Sequence, residues 1–230
     1  MWGYEMRKDK IVEVIRQFAY GVEIKPVGVG IVQHPFFNSI MGFDLETKEM
    51  FVMDTPEKKE KALRQHMEVI EKGETFGAMM YHVNKPWRID ILWHCQHYLT
   101  LEEFSEALGI FWTELEYPNA YSIHRLIKMF KMAEKQKLMD DNEMKVLESL
   151  PETVTIYRGL QGKNAKVRGL SWTVKKEVAV WFAKRFAKKN KVYTAVVPKK
   201  HIFMYCEGRN EEEVVVNPYH LKDIAEVEVA

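Results

Sequence analysis

The sequence predicts an α+β protein, with a helix-rich N-terminal region over residues 1–150 followed by a small mixed β-sheet over residues 151–230. Three observations predict it: amphipathic helical spacing that recurs up to Leu150, short β-rich runs parted by turns after Pro151, and one basic helical stretch among those runs.

In the first region, Ile11, Ile15 and Phe18 stand at i, i+4 and i+7, and Leu63, Met67 and Ile70 repeat that spacing between a Thr55-Pro56 start and a Gly73 stop. Residues 27–33 and 50–53 are expected to be extended, and residues 75–83 to form a third strand. The Gly28-x-Gly30 pair has no helical pattern behind it, so it is no dinucleotide fingerprint. From Arg88 the helical pattern returns. Thr100 and Glu103 form a capping box ahead of Phe104, Leu108 and Phe111, Pro118-Asn119 breaks the run, and Ser122 precedes an apolar stripe of Ile123, Leu126, Ile127 and Phe130. Asp140 and Glu143 open a last short helix that stops at Leu150-Pro151. Beyond it, strands are expected at residues 153–157, 167–173, 191–197, 213–216 and 224–229, with a helix over 175–190.

At 230 residues and 47% hydrophobic, the chain is long enough for one large core or two small ones. No apolar run approaches the ~20 residues of a membrane span, and Met1 to Lys10 lead into no cleavable hydrophobic stretch, so a soluble cytoplasmic protein without a membrane partner is expected. Cys95 and Cys206 lie far apart and make no C-x-x-C pattern, which fits reduced structural thiols. His94 and His97 share a helical face beside Cys95, but no further ligand stands at metal spacing and no metal is expected. Charge is divided unevenly. Residues 1–150 hold 19 Lys or Arg against 24 Asp or Glu, and residues 151–230 hold 15 against 9, so the C-terminal part favours an anionic partner. Composition leaves open whether that is a dinucleotide pyrophosphate or a nucleic acid.

Three short motifs follow one another in that basic part. Thr155-Ile156-Tyr157-Arg158-Gly159 ends a strand with an aromatic-Arg-Gly, Gly169-Leu170-Ser171-Trp172-Thr173 places two hydroxyls about a Trp, and Arg209-Asn210-Glu211-Glu212-Glu213 runs into the apolar Val214-Val215-Val216. Each alone is an ordinary surface pattern. In this order, with a helix after the second and a strand before the third, they resemble the NAD-dependent mono-ADP-ribosyltransferases of the Arg-Ser-Glu, cholera-toxin-like class, including toxins of phage and bacterial conflict systems. The resemblance covers Thr153 onward, with Trp172 where the family has a small residue.

The resemblance implies an ADP-ribosyltransferase core that takes NAD as substrate, uses no metal, and passes ADP-ribose to a macromolecular acceptor, a host protein or RNA. It makes Glu213 the carboxylate that stabilises the oxocarbenium-like ribose, with Ser171 holding that carboxylate and the ribose, and Thr173 beside the cofactor. Glu211 addresses the acceptor, as in members that modify arginine. Arg158 offers a planar fork to the pyrophosphate or ribose, and Gly159 lets its backbone approach the nicotinamide carboxamide. Spacing alone adds Phe182 and Arg185, at i and i+3 on one helical face, as a ring over nicotinamide and a cation on phosphate. Phe182 also falls in the stripe Val178, Trp181, Phe182, Phe186 and fits a core aromatic equally well. Trp87, Trp93, Phe111 and Trp112 read as core. The helical region then serves acceptor recognition or binds an antitoxin or other regulator. Two alternatives stay open: an NAD glycohydrolase, and a non-catalytic relative that binds RNA or protein through the basic helix carrying Lys175, Lys176, Lys184, Arg185, Lys188, Lys189 and Lys191.

Overall fold

A computed structural model describes residues 2–116, 118–161, 166–185 and 190–228. Contacts gather into two compact units, one of Met1–Ala107 with Glu114–Glu116, the other of Leu108–Thr113 with Tyr117–Ala230.

The first unit contains α1 (Trp2–Gly21), a two-stranded ribbon of β1 (Met41–Phe43) and β2 (Met50–Val52), α2 (Pro56–Glu71), α3 (Phe76–Tyr81), α4 (Lys85–Cys95) and the first half of α5 (Leu101–Thr113). α2 starts where its sequence says it should. The Thr55 side chain accepts from Lys58 N, Pro56 occupies a position whose amide would be unpaired anyway, and Gly73 N closes on Ile70 O. Its apolar stripe buries Leu63, Met67 and Ile70, while α1 buries Ile11, Ile15 and Ala19. Each fully buried Ile contributes about 1.5–3 kcal/mol. The capping box is present at α5, with Glu103 N donating to Thr100 Oγ1 and Thr100 N to Glu103 Oε2.

Residues 75–83 do not form the expected strand. Thr75 accepts from Ala78 N and caps α3, whose Phe76, Met79 and Met80 are buried at helical spacing. Burying those three on one side outweighs the strand preference of Tyr81 and Val83. Residues 27–33 make only isolated bridges, Pro26 with Val32 and Ile31 with Ser39, around a left-handed Gly30.

Two imidazoles, His34 buried and His66 half-buried, make this unit acid-sensitive. His34 Nε2 donates to Ala19 O while its Nδ1 accepts from Phe36 N, which requires the neutral ring. His66 stacks on Phe36 at 4.3 Å and donates Nε2 to His82 O. Burial lowers the pKa of both below the ordinary 6.5. The unfolded chain therefore takes up protons first as pH falls, so stability is unaffected above about pH 6.5 and is lost progressively below it. The expected result is a lower urea midpoint at pH 5.5 than at pH 7.5, with His34 and His66 ring resonances titrating below pH 6.5.

The second unit holds the remainder of α5, then α6 (Ile123–Met132), α7 (Asp141–Ser149), β3 (Thr153–Gln161), β4 (Ser171–Thr173), α8 (Lys176–Lys184), β5 (Asn190–Pro198), β6 (Ile202–Cys206), β7 (Glu213–Val216) and β8 (Lys222–Val227). α6 and α7 therefore cluster with the sheet, ahead of the composition change at Pro151. α6 buries Leu126, Ile127 and Phe130, and α7 opens on a full capping box between Asp140 and Glu143.

The six strands lie in the order β6-β7-β4-β3-β5-β8, and every pairing among the described residues is antiparallel. The expected mixed sheet is thus corrected: no described neighbours run parallel. The longest pairing joins β3 and β5 from Thr153 opposite Pro198 to Gln161 opposite Asn190. α8 ends at Lys184 with Arg185 as its cap, and Asn190 already belongs to β5, so the helix is shorter than residues 175–190. Phe186, Lys188, Lys189 and Val229 lie outside the described residues.

Candidate active site

The three motif strands are immediate neighbours. β4 lies between β3 and β7, with Tyr157 opposite Thr173 and Thr173 opposite Glu213. Directly opposed side chains share a face, and alternate residues along a strand do too. Ser171, Thr173, Glu213, Tyr157 and Gly159 are therefore on one face, and Arg158 alternates to the other.

Glu213 is half-buried at the start of β7. Its carboxylate accepts from the Trp112 indole Nε1 at 3.2 Å and from the Cys206 thiol at 3.3 Å. Both donors are fixed from behind: Trp112 packs edge-on against Phe130 at 5.1 Å, Phe130 stacks on Phe203 at 5.3 Å, and Cys206 stands opposite Glu213 in the β6–β7 pairing. Burial, with Glu213 beside it, pushes the Cys206 thiol up and keeps it a protonated donor. Such an anchored carboxylate presents a fixed negative charge, the requirement for stabilising a developing cation.

Ser171 reaches this site by its backbone. Its carbonyl accepts from Arg158 Nη1, and the hydrogen bonds to Glu213 come from Trp112 and Cys206. Thr173 fastens the turn ahead of β7, donating Oγ1 to Glu211 O at 2.8 Å and accepting from Lys175 N at 3.1 Å. That turn is strained, with Asn210 at φ 57° and Glu212 at φ 42°, and Lys175 forms an ion pair with Glu212 across it.

Arg158 is 9% exposed, packed against Gly169, with its Nε lacking a partner. Burial lowers its pKa to about 10, and the Glu213 charge opposes that fall. Its fork thus serves the β3–β4 junction, instead of lying open for a phosphate. Gly159 permits a close approach of another kind, since a Cβ there would meet Ala179 O at 2.1 Å and Ala183 N at 2.7 Å. The backbone of α8 sits directly on it.

An open groove of roughly 570 Å³ runs along α8, lined by Glu177, Val178, Trp181, Arg185, Asn210 and Glu211. Trp181 is 53% exposed, and the Arg185 guanidinium lies over its ring at 4.9 Å. Phe182 is half-buried and meets Trp181 edge-on at 5.0 Å, so the groove aromatic is Trp181. Three side chains here carried no expected site role: Trp112 and Trp181 fitted apolar stripes or core, and Cys206 a structural thiol. Trp181 had a signal, because Glu177, Trp181 and Arg185 at i, i+4 and i+8 share a face. The Trp112 contact joins residues far apart in the chain and left none, and Cys206, though only seven residues before Glu213, stands in a run that nothing in the sequence marks as a strand.

No family model, curated protein or solved structure matches the chain.

Proposed function

We propose that the second unit is a glycosyl-transferring enzyme acting on a dinucleotide. More particularly, it is an NAD-dependent mono-ADP-ribosyltransferase with a macromolecular acceptor. The observation that carries this reading is the Glu213 carboxylate, held by Trp112 and Cys206 beside the strand of Ser171 and Thr173, with Glu211 two residues earlier on the rim of the Trp181–Arg185 groove. The motif order read from the sequence supports it.

The bond between nicotinamide and ribose C1′ breaks, and its electron pair leaves with nicotinamide. Positive charge grows on C1′ opposite Glu213, which stabilises it electrostatically. An acceptor nucleophile bonds to C1′ and gives up its proton to Glu211. Trp181 supplies a flat apolar surface and Arg185 a cation for the dinucleotide.

Incubation with NAD labelled in the adenylate, together with a cell lysate, is the direct test. Transfer is expected as label in macromolecules, released by either protease or nuclease, with nicotinamide formed in equal amount. Nicotinamide without macromolecular label means hydrolysis, and release of neither product removes the reading.

A further inference from the structure

Away from Glu213, at the other end of the β6–β7 pairing, exposed and half-buried rings gather with several cations, and the exposed Asp223 beside Lys222 is the acid next to them in the chain. The turn Lys199–His201 supplies Lys200 and His201, the turn Pro218–His220 supplies Tyr219 and His220, Lys222 opens β8, and α6 contributes His124 and Lys131. Asn217 N donates to His201 O at 2.9 Å and joins the two turns. The His201 and His220 rings lie face to face, 3.5 Å apart and 4° from parallel. Tyr219 is 55% exposed and shares a 2.9 Å hydrogen bond between its hydroxyl and His124 Nε2.

We propose that this surface binds single-stranded nucleic acid, its rings stacking on bases and Lys131, Lys200 and Lys222 neutralising phosphates. Among the described residues no ion pair ties these three lysines to a carboxylate. The neighbouring Lys199 is differently placed, since its ammonium is taken up by Leu150 O, Glu148 O and Glu152. Partial burial, His220 and the three lysines together depress the pKa of His201, so an approaching anion relieves repulsion already built into the fold. A duplex hides its base faces and an acidic peptide has none. Exposed rings interleaved with cations are the combination single strands exploit. The inference is independent of NAD chemistry.

Anisotropy of a labelled oligouridylate of about a dozen nucleotides, without NAD, tests it. Binding should weaken with salt at a logarithmic slope of about −2, the release expected for three phosphate contacts. The exposed triple variant Lys131→Glu, Lys200→Glu, Lys222→Glu should bind at least roughly tenfold more weakly, with an unchanged far-UV spectrum. Tyr219→Ala should weaken binding roughly 5- to 100-fold while Tyr219→Phe, which keeps the ring, does not. Lys176→Glu on α8 should bind as the parent does. Absence of binding by the parent chain, a triple variant that binds equally well, or equal competition by polyglutamate would overturn the proposal.

Discussion

Replacing Glu213 by Gln is expected to lower nicotinamide release by about 10²–10³, the scale on which an electrostatic stabiliser of a transition state acts. The substitution changes charge and almost nothing else. A Gln side chain keeps the length of Glu, and its amide oxygen still accepts from Trp112 Nε1 where Glu213 Oε1 now does at 3.2 Å. Lost are the second acceptor for the Cys206 thiol and the full negative charge that the proposed reaction sets against ribose C1′. Glu213 is half-buried and its hydrogen-bond donors are neutral, but its charge also supports the buried Arg158 cation, so the thermal midpoint should fall modestly. NAD affinity should also be nearly retained, because in the proposed reaction the charge matters when the cation develops and Trp181 and Arg185 would hold the dinucleotide. The signature is thus a fall in kcat with KM little changed. A variant that releases nicotinamide at the parental rate would remove Glu213 from the chemistry.

What could be read from the sequence was local. The capping boxes at Thr100 and at Asp140 lie within four residues, and both are present, as are the stripes of Leu63, Met67 and Ile70 and of Leu126, Ile127 and Phe130. The strand that begins at Glu213 was legible because three consecutive valines follow a charged turn. β6 was not, because Ile202–Cys206 shows no alternation, and a run buried on both faces looks the same whatever element it forms. Strand direction also escaped. It depends on which distant segments pair, and the neighbours of β4 come from either side of it in the chain. The same limit applies to the site: the motifs bring Ser171, Thr173 and Glu213 onto adjacent strands, yet the donors to Glu213 come from α5 and β6, whose places only the folded sheet decides. The turn of Asn210 and Glu212 adopts left-handed backbone that no glycine announces.

Gly159→Ala is the substitution expected to damage the second unit most. The added methyl would lie 2.1 Å from the carbonyl oxygen of Ala179 and 2.7 Å from the amide nitrogen of Ala183. Both are main-chain atoms of α8, so no rotamer change can make room and the helix has to lift. α8 is built for this approach: Ala179 and Ala183 are 1% and 0% exposed, and with Val192 they form a small cluster under which Gly159 completes the floor. Overpacking of this kind costs about 3 kcal/mol, which lowers the thermal midpoint of a unit this size by roughly 10 °C. Gly77→Ala is the matched control, since its methyl meets nothing within 4 Å and it stands inside α3. That change should be neutral or stabilise by up to about 1 kcal/mol, because alanine favours helix over glycine. Trp181 and Arg185 ride on α8 and its cap, so lifting the helix also displaces the groove from the Glu211 turn. A Gly159→Ala chain as stable as the parent, with unaltered Trp181 fluorescence, would show that α8 does not rest on β3 through this contact.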